Sequence, residues 1–207
     1  ACRDEEHEAE RVVSEIMHHK FLHNTDHRDY AILYRGNHQA RQFERVLREQ
    51  RIPYYLSGGL SFFERTEVRD IMAYLKLLAN PDNDGAFLRV VNTPRREIGA
   101  ATLEKLSAYA QQRDQSLFAA SFELGLAQHL SDRQLAALKR FSVWLSDLAD
   151  RAKEEEPATV LRSLLTDIDY ASWLKETCDS IDAAEKRMQN ILELTRWLTR
   201  LAKKEQD

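Results

Sequence analysis

The chain has 207 residues, 43% hydrophobic and 31% charged, with a net charge of −4. That balance suits a soluble globular protein of one large or two small domains, and no apolar run reaches the ~18–20 residues of a membrane span. A negative total excludes a surface built as a whole for nucleic acid, so an anion site must be local.

Residues 4–22 begin acidic and end basic, as a helix dipole prefers, with Val12, Val13, Ile16 and Met17 as the apolar stripe. "RDYAILYRG" (28–36) has a short apolar centre bounded by polar residues and Gly36, which predicts a buried strand. A helix over 38–50 follows, with Phe43, Val46 and Leu47 on one face. "IPYYLSGG" (52–59) predicts a second strand, with Pro53 at its start and two glycines at its end. Helix, strand, helix, strand with short connections reads as an α/β unit whose strands, 28–35 and 53–57, are parallel.

Beyond Gly59 no strand pattern recurs. Helices are predicted at about 66–79, 83–92, 101–112, 131–154, 157–168 and 182–204. Ser131 with Gln134 has capping-box spacing, and Asp182 with Glu185 suggests the same with an aspartate cap. The fold expected is therefore a small α/β piece (1–58) joined at Gly58 and Gly59 to an all-α piece (59–207), helical for the most part. The chain opens on Ala1, and Asp207 follows an uninterrupted helical pattern. An internal piece of a longer protein is the expectation, with the last helix short of part of its cover and the chain prone to weak self-association.

The stretch "NTPRREIGAATLEKL" (92–106) places Pro94, two arginines and Gly99 directly before a helix. Cations at a helix amino end are misplaced for stability. Free backbone N–H groups there can instead hold a phosphate, with Arg95, Arg96 and Lys105 adding charge-assisted contacts. The alternative is an ordinary helix start with solvated arginines. On either reading Arg95 and Arg96 are exposed, and replacing them costs the fold little.

In "SGGLSFFERTEVRD" (57–70) Thr66 reads as an N-cap, with Glu67 and Asp70 suited to a helix amino end. Phe62 and Phe63 can stack bases or pack as a staple. "YRGNHQAR" (34–41) places Tyr34, Arg35, Gln39 and Arg41 around a loop that serves a ligand or merely caps the next helix through Asn37 or His38. His19, His23 and His27 recur at intervals of four, but no further ligand completes a metal site. Cys2 and Cys178 lack metal spacing and fit a reducing cytoplasm. None of the six glycines stands in a phosphate-binding loop. The chain itself shows no catalytic centre.

Three ordered blocks, "DYAILYRGNHQAR", "IPYYLSGGLSFFERTEVRDIMAYLKLLANPDND" and "FLRVVNTPRREIGAATLEKL", resemble the UvrD/Rep/PcrA family of superfamily 1 DNA helicases, its bacterial Rep branch in particular. The resemblance implies that residues 1–58 are the start of the second RecA-like motor domain, 2A, and that 59–207 are the helical 2B insertion, swivelling about Gly58–Gly59. Residues Tyr34, Arg35, Gln39 and Arg41 fall in block IVa. Residues Arg95, Arg96, Ile98, Gly99, Thr102 and Lys105 fall on the element that contacts the duplex backbone. Glu97 stands where the family more often has glycine. The whole protein is then a 3′-to-5′ DNA helicase using Mg-ATP in replication and repair. This chain, lacking a Walker loop, should not hydrolyse ATP. A rival reading makes the helical part a protein-interaction or regulatory module.

Overall fold

In a computed structural model that describes residues 2–57 and 61–204, every regular element is a helix. The joint expected at Gly58 and Gly59 lies outside the described residues. The chain divides into two units, residues 1–65 and 66–207.

The first unit holds α1 (Glu5–His23) and α2 (Asn37–Glu49). Asp4 caps α1 by accepting from the His7 backbone N–H at 2.8 Å, and Asn24 ends it with φ 50°. The α1 residues Ala9 and Val13 pack with Val46, Leu47 and Ile52, with Phe43 and Tyr54 alongside. Gln39 reaches back to α2's own start: its Oε1 accepts from the backbone N–H of Arg35 (3.0 Å) and Gly36 (3.2 Å).

The predicted α/β arrangement does not form. Among the described residues there is no strand and no sheet: 27–29 is a turn of 3₁₀ helix, and 30–34 and 52–57 have no regular structure. Tyr30 is extended (φ −113°, ψ 145°), but extended backbone becomes a strand only when a neighbour completes its hydrogen-bond ladder. Two parallel strands alone would have only each other, which is marginal in water. Nor does burial compensate here, since Leu33 and Tyr55 are 92% and 91% exposed.

The second unit is a helical assembly built around α3 (Thr66–Ala79), which packs against α4 (Asp84–Val90) and two longer helices further on. It continues through α5 (Ala100–Gln112), the short α6 (Leu117–Ala120), α7 (Asp132–Glu154), α8 (Pro157–Asp167), α9 (Tyr170–Thr177) and α10 (Ile181–Lys204). Val68, Ile71, Tyr74 and Leu77 of α3 are buried, as are Leu138, Phe141 and Leu145 of α7 and Ile191, Leu194 and Trp197 of α10. The capping box at Ser131 is present: Ser131 Oγ accepts from the Gln134 N–H, and Gln134 Oε1 accepts from the Ser131 N–H. At α10 the cap is Ser180, whose Oγ accepts from the Ala183 N–H at 3.1 Å, not Asp182. The sequence pattern did not show α6, which at four residues is too short for a 3.6-residue period to register, nor the eight-residue α9.

Glu67, in the first turn of α3, and Asp70 are both buried. Asn190 Nδ2 donates to Glu67 Oε1 at 2.7 Å. Arg89 pairs with Asp70 at 2.7 Å, and the Tyr170 hydroxyl donates to the same carboxylate at 3.2 Å. Burial nonetheless raises the Asp70 carboxyl above its ordinary value, against the opposing Arg89 charge. These bonds tie α3 to α4, α9 and α10.

Candidate nucleic-acid interface

The segment from Val91 to Gly99 links α4 to α5, through a cis Thr93–Pro94 peptide. Its conformation is organised by Arg96. One guanidinium nitrogen donates to the carbonyls of Val90 (2.9 Å), Val91 (3.4 Å) and Pro94 (3.0 Å), and the other donates to the Tyr74 hydroxyl at 2.6 Å. The guanidinium carbon lies 5.0 Å from the Phe141 ring centre and 5.6 Å from that of Trp144. A cation here satisfies the carbonyl end of α4, where the helix dipole favours positive charge. Tyr74, fully buried, has its hydroxyl pushed up to about 12 by that burial, with the Arg96 charge opposing. Arg96 is thus half-buried and turned inward, unlike the solvated cation the sequence suggests.

Arg95 points outward and is exposed. Glu97 follows in the left-handed region at φ 61°, Ile98 is buried, and Gly99 is the N-cap of α5. No side chain caps this helix start. Gly99 has an ordinary extended backbone (φ −80°, ψ 171°), and a Cβ there would meet nothing within 4 Å. The fold therefore does not require glycine at 99. Gly99, Ala100, Ala101 and Lys105 are exposed, whereas Thr102 is buried. Of these six residues, Arg95, Gly99 and Lys105 are exposed to solvent, Arg96 is turned inward, and Ile98 and Thr102 are buried.

Opposite the turn runs α7. Pro94 to Glu97 line a cleft of about 420 Å³ together with Ala137, Arg140, Phe141 and Trp144 of α7 and Asp167 and Ile168 near the end of α8. Arg133, one turn before Ala137, donates to Glu97 Oε2 at 2.8 Å. That bond, with the charges of Arg140 and Arg95, holds the Glu97 carboxyl below its ordinary value. Across the cleft Trp144 Nε1 donates to Asp167 Oδ2 at 3.0 Å. Sequence reading missed Arg133, Arg140 and Trp144. Their spacing of seven and eleven along α7 marks one helix face, but nothing local shows that this face meets residues 94–97.

The block around Tyr34 lies in the first unit. Tyr34 is half-buried, Arg35 is exposed and Gln39 is the capping residue described above. Arg41 lies 5.6 Å from the Phe62 ring centre and Arg48 4.1 Å from that of Phe63. Both phenylalanines are buried, which makes them packing residues rather than an exposed stacking platform. His19 and His23 stack at 4.2 Å, and His19 shares a hydrogen bond with the Tyr30 hydroxyl. No group that could hold a metal is present among the described residues, and no helix among them is long and apolar enough to cross a membrane.

Arg95 thus stands exposed beside a helix start that no side chain caps, on a turn that Arg96 holds in place within a helical unit. The chain belongs to the UvrD-like helicase C-terminal domain family, which it matches over residues 1–207. It is 53% identical over 201 residues to the ATP-dependent DNA helicase Rep of Escherichia coli (strain K12), covering 97% of this chain and 30% of that protein. The Rep helicase of Buchnera aphidicola subsp. Baizongia pistaciae is 39% identical over 96% of this chain. A probable DNA helicase II homolog of Rickettsia conorii is 32% identical over 95%. The chain spans about 30% of the length of these relatives.

Proposed function

We propose that this chain is part of an ATP-dependent 3′-to-5′ DNA helicase of replication and repair, acting in the cytoplasm, and that its helical unit grips the backbone of duplex DNA. The supporting observation is the joint exposure of Arg95, the uncapped start of α5 at Gly99, and Lys105. Such contacts position a protein on DNA without reading sequence. Residues 1–58 belong in this reading to motor domain 2A, and residues 59–207 to the accessory 2B domain that swivels to regulate unwinding. Mg-ATP is the cofactor of the whole protein. The sequence of this chain holds no phosphate-binding glycine loop for that group.

The test is duplex binding by fluorescence anisotropy across a salt series. Wild type should lose affinity steeply with salt, and Arg95→Ala and Lys105→Ala should each flatten the slope of log K against log salt by about 0.9. Binding insensitive to salt and to both substitutions would favour the protein-interaction reading, with which the net charge of −4 agrees. Weak self-association is a separate proposal. Leu75, Pro157, Leu161, Leu198, Leu201 and Ala202 leave an apolar cleft of about 240 Å³, and sedimentation over a hundredfold concentration range tests a second copy as its cover.

A further inference from the structure

Glu97 is the one acidic side chain of the turn, and it lies among three arginines from two separate parts of the unit. Arg95 comes from the turn itself. Arg133 and Arg140 come from one face of α7, seven residues apart. The Arg133–Glu97 pair is solvated, with side chains 82% and 63% exposed, and bridges α7 to the turn. Exposed pairs of this kind are weak and exchange readily for a better anion. Glu97 also holds a left-handed backbone, φ 61°, a conformation that glycine adopts without penalty and other residues rarely take. Strain kept at an exposed position points to a role other than packing.

We propose that Arg95, Arg133 and Arg140 together form one site for a backbone phosphodiester, and that the Glu97 carboxylate occupies this site until nucleic acid displaces it. The inference rests on the duplex-binding reading and adds to it two α7 arginines and an internal competitor. A carboxylate and a phosphodiester each carry one negative charge and two acceptor oxygens, so each satisfies the same guanidinium forks. They cannot share the site, because like charges at that separation repel. The cleft behind the turn, open between Pro94 and Arg140, gives the displaced Glu97 side chain space to move. Asp167, which lines the same cleft, has one oxygen already bonded to Trp144 Nε1. Two consequences separate this arrangement from a simple basic patch. Intact Glu97 weakens duplex binding even though it touches no DNA, and Arg133 contributes fully only when Glu97 is neutral.

The experiment measures anisotropy of a labelled 20-base-pair duplex with wild type, Arg95→Ala, Glu97→Gln, Arg140→Ala and the double variant Glu97→Gln/Arg133→Ala. Glu97→Gln should bind roughly fourfold tighter, the effect of removing one unit charge about 5 Å from a phosphate in water. Its salt slope should steepen by about 0.9, one more phosphate contact. Arg140→Ala should flatten the slope by a similar amount, and Arg133→Ala should cancel the gain in the Glu97→Gln background. Glu97→Gly, which removes the charge and suits a φ of 61°, is the second variant and should show the same gain. If Arg95→Ala weakens binding while both Glu97 variants match wild type, the competitor role is overturned and the duplex reading stands. If Arg95→Ala leaves binding unchanged while Lys105→Ala weakens it, this inference is overturned and the duplex reading stands; if binding ignores salt and both substitutions, the duplex reading has failed and this inference falls with it. An oligoglutamate peptide that gains from Glu97→Gln as much as the duplex does would overturn the assignment to phosphodiester.

Discussion

Arg96→Ala should unfold the helical unit more easily, whereas Arg95→Ala, one residue away, should not. The Arg96 guanidinium donates to three main-chain carbonyls and to the Tyr74 hydroxyl and lies among three aromatic rings. Hydrogen bonds from a charged donor contribute about 1.5–3 kcal/mol, and a cation against an aromatic face about 0.5–2 kcal/mol. These contributions share one group and do not add, so the whole side chain is assigned roughly 3 kcal/mol. At about 2–4 °C per kcal/mol for a domain of this size, the melting temperature falls by roughly 6–12 °C. Arg95 is exposed, and its removal should stay within about 0.5 kcal/mol. The three tryptophans, Trp144, Trp173 and Trp197, all lie in the second unit, so urea unfolding followed by tryptophan fluorescence reports that unit alone. Arg96→Lys should fall between, since an ammonium keeps the charge but not the planar fork. An Arg96→Ala midpoint equal to wild type, with duplex binding lost as in Arg95→Ala, would refute the inward role and make Arg96 a phosphate ligand.

Gly99→Ser should raise stability by a few tenths of a kcal/mol, because serine caps a helix slightly better than glycine and the site has open space for its Cβ. The same hydroxyl takes the N–H groups that a phosphate needs, so duplex affinity should drop; unchanged affinity would remove the α5 start from the interface. Asp70 has its carboxyl raised by burial, so the folded state holds that proton more tightly than the unfolded one, and its contribution to stability declines as pH rises from the ordinary value of 3.8. Asp70→Asn removes this dependence: its urea midpoint relative to wild type should climb with pH, and a flat or falling difference would show that the Arg89 pair outweighs burial. Ser131→Ala should cost about 1 kcal/mol through loss of the α7 cap, read by the same fluorescence transition.

Helix positions were legible because their causes are local. The apolar spacing of α3 over 66–79 and the Ser131–Gln134 box of α7 lie within a few residues of the ends they set. The strand expectation at 28–35 and 53–57 failed for the opposite reason. A strand is a pairing, and no alternation of side chains supplies the neighbour that completes its ladder. Burial shows the same division. Local spacing sets Glu67 and Asp70 near a helix start, but their burial depends on α9 and α10, which bring Tyr170 and Asn190 to them from 100 and 123 residues further along the chain. The turn at 94–99 announced itself through two cations where a helix dipole disfavours them. Which cation faces solvent was decided by Tyr74, Phe141 and Trp144, whose rings and hydroxyl enclose Arg96 and leave Arg95 outside. Composition and local spacing thus determined that an arginine-bearing turn opens α5. Packing of α7 across that turn decided that Arg133 and Arg140 stand with Arg95 around Glu97, because only a folded chain sets charges some 40 residues apart within reach of one another.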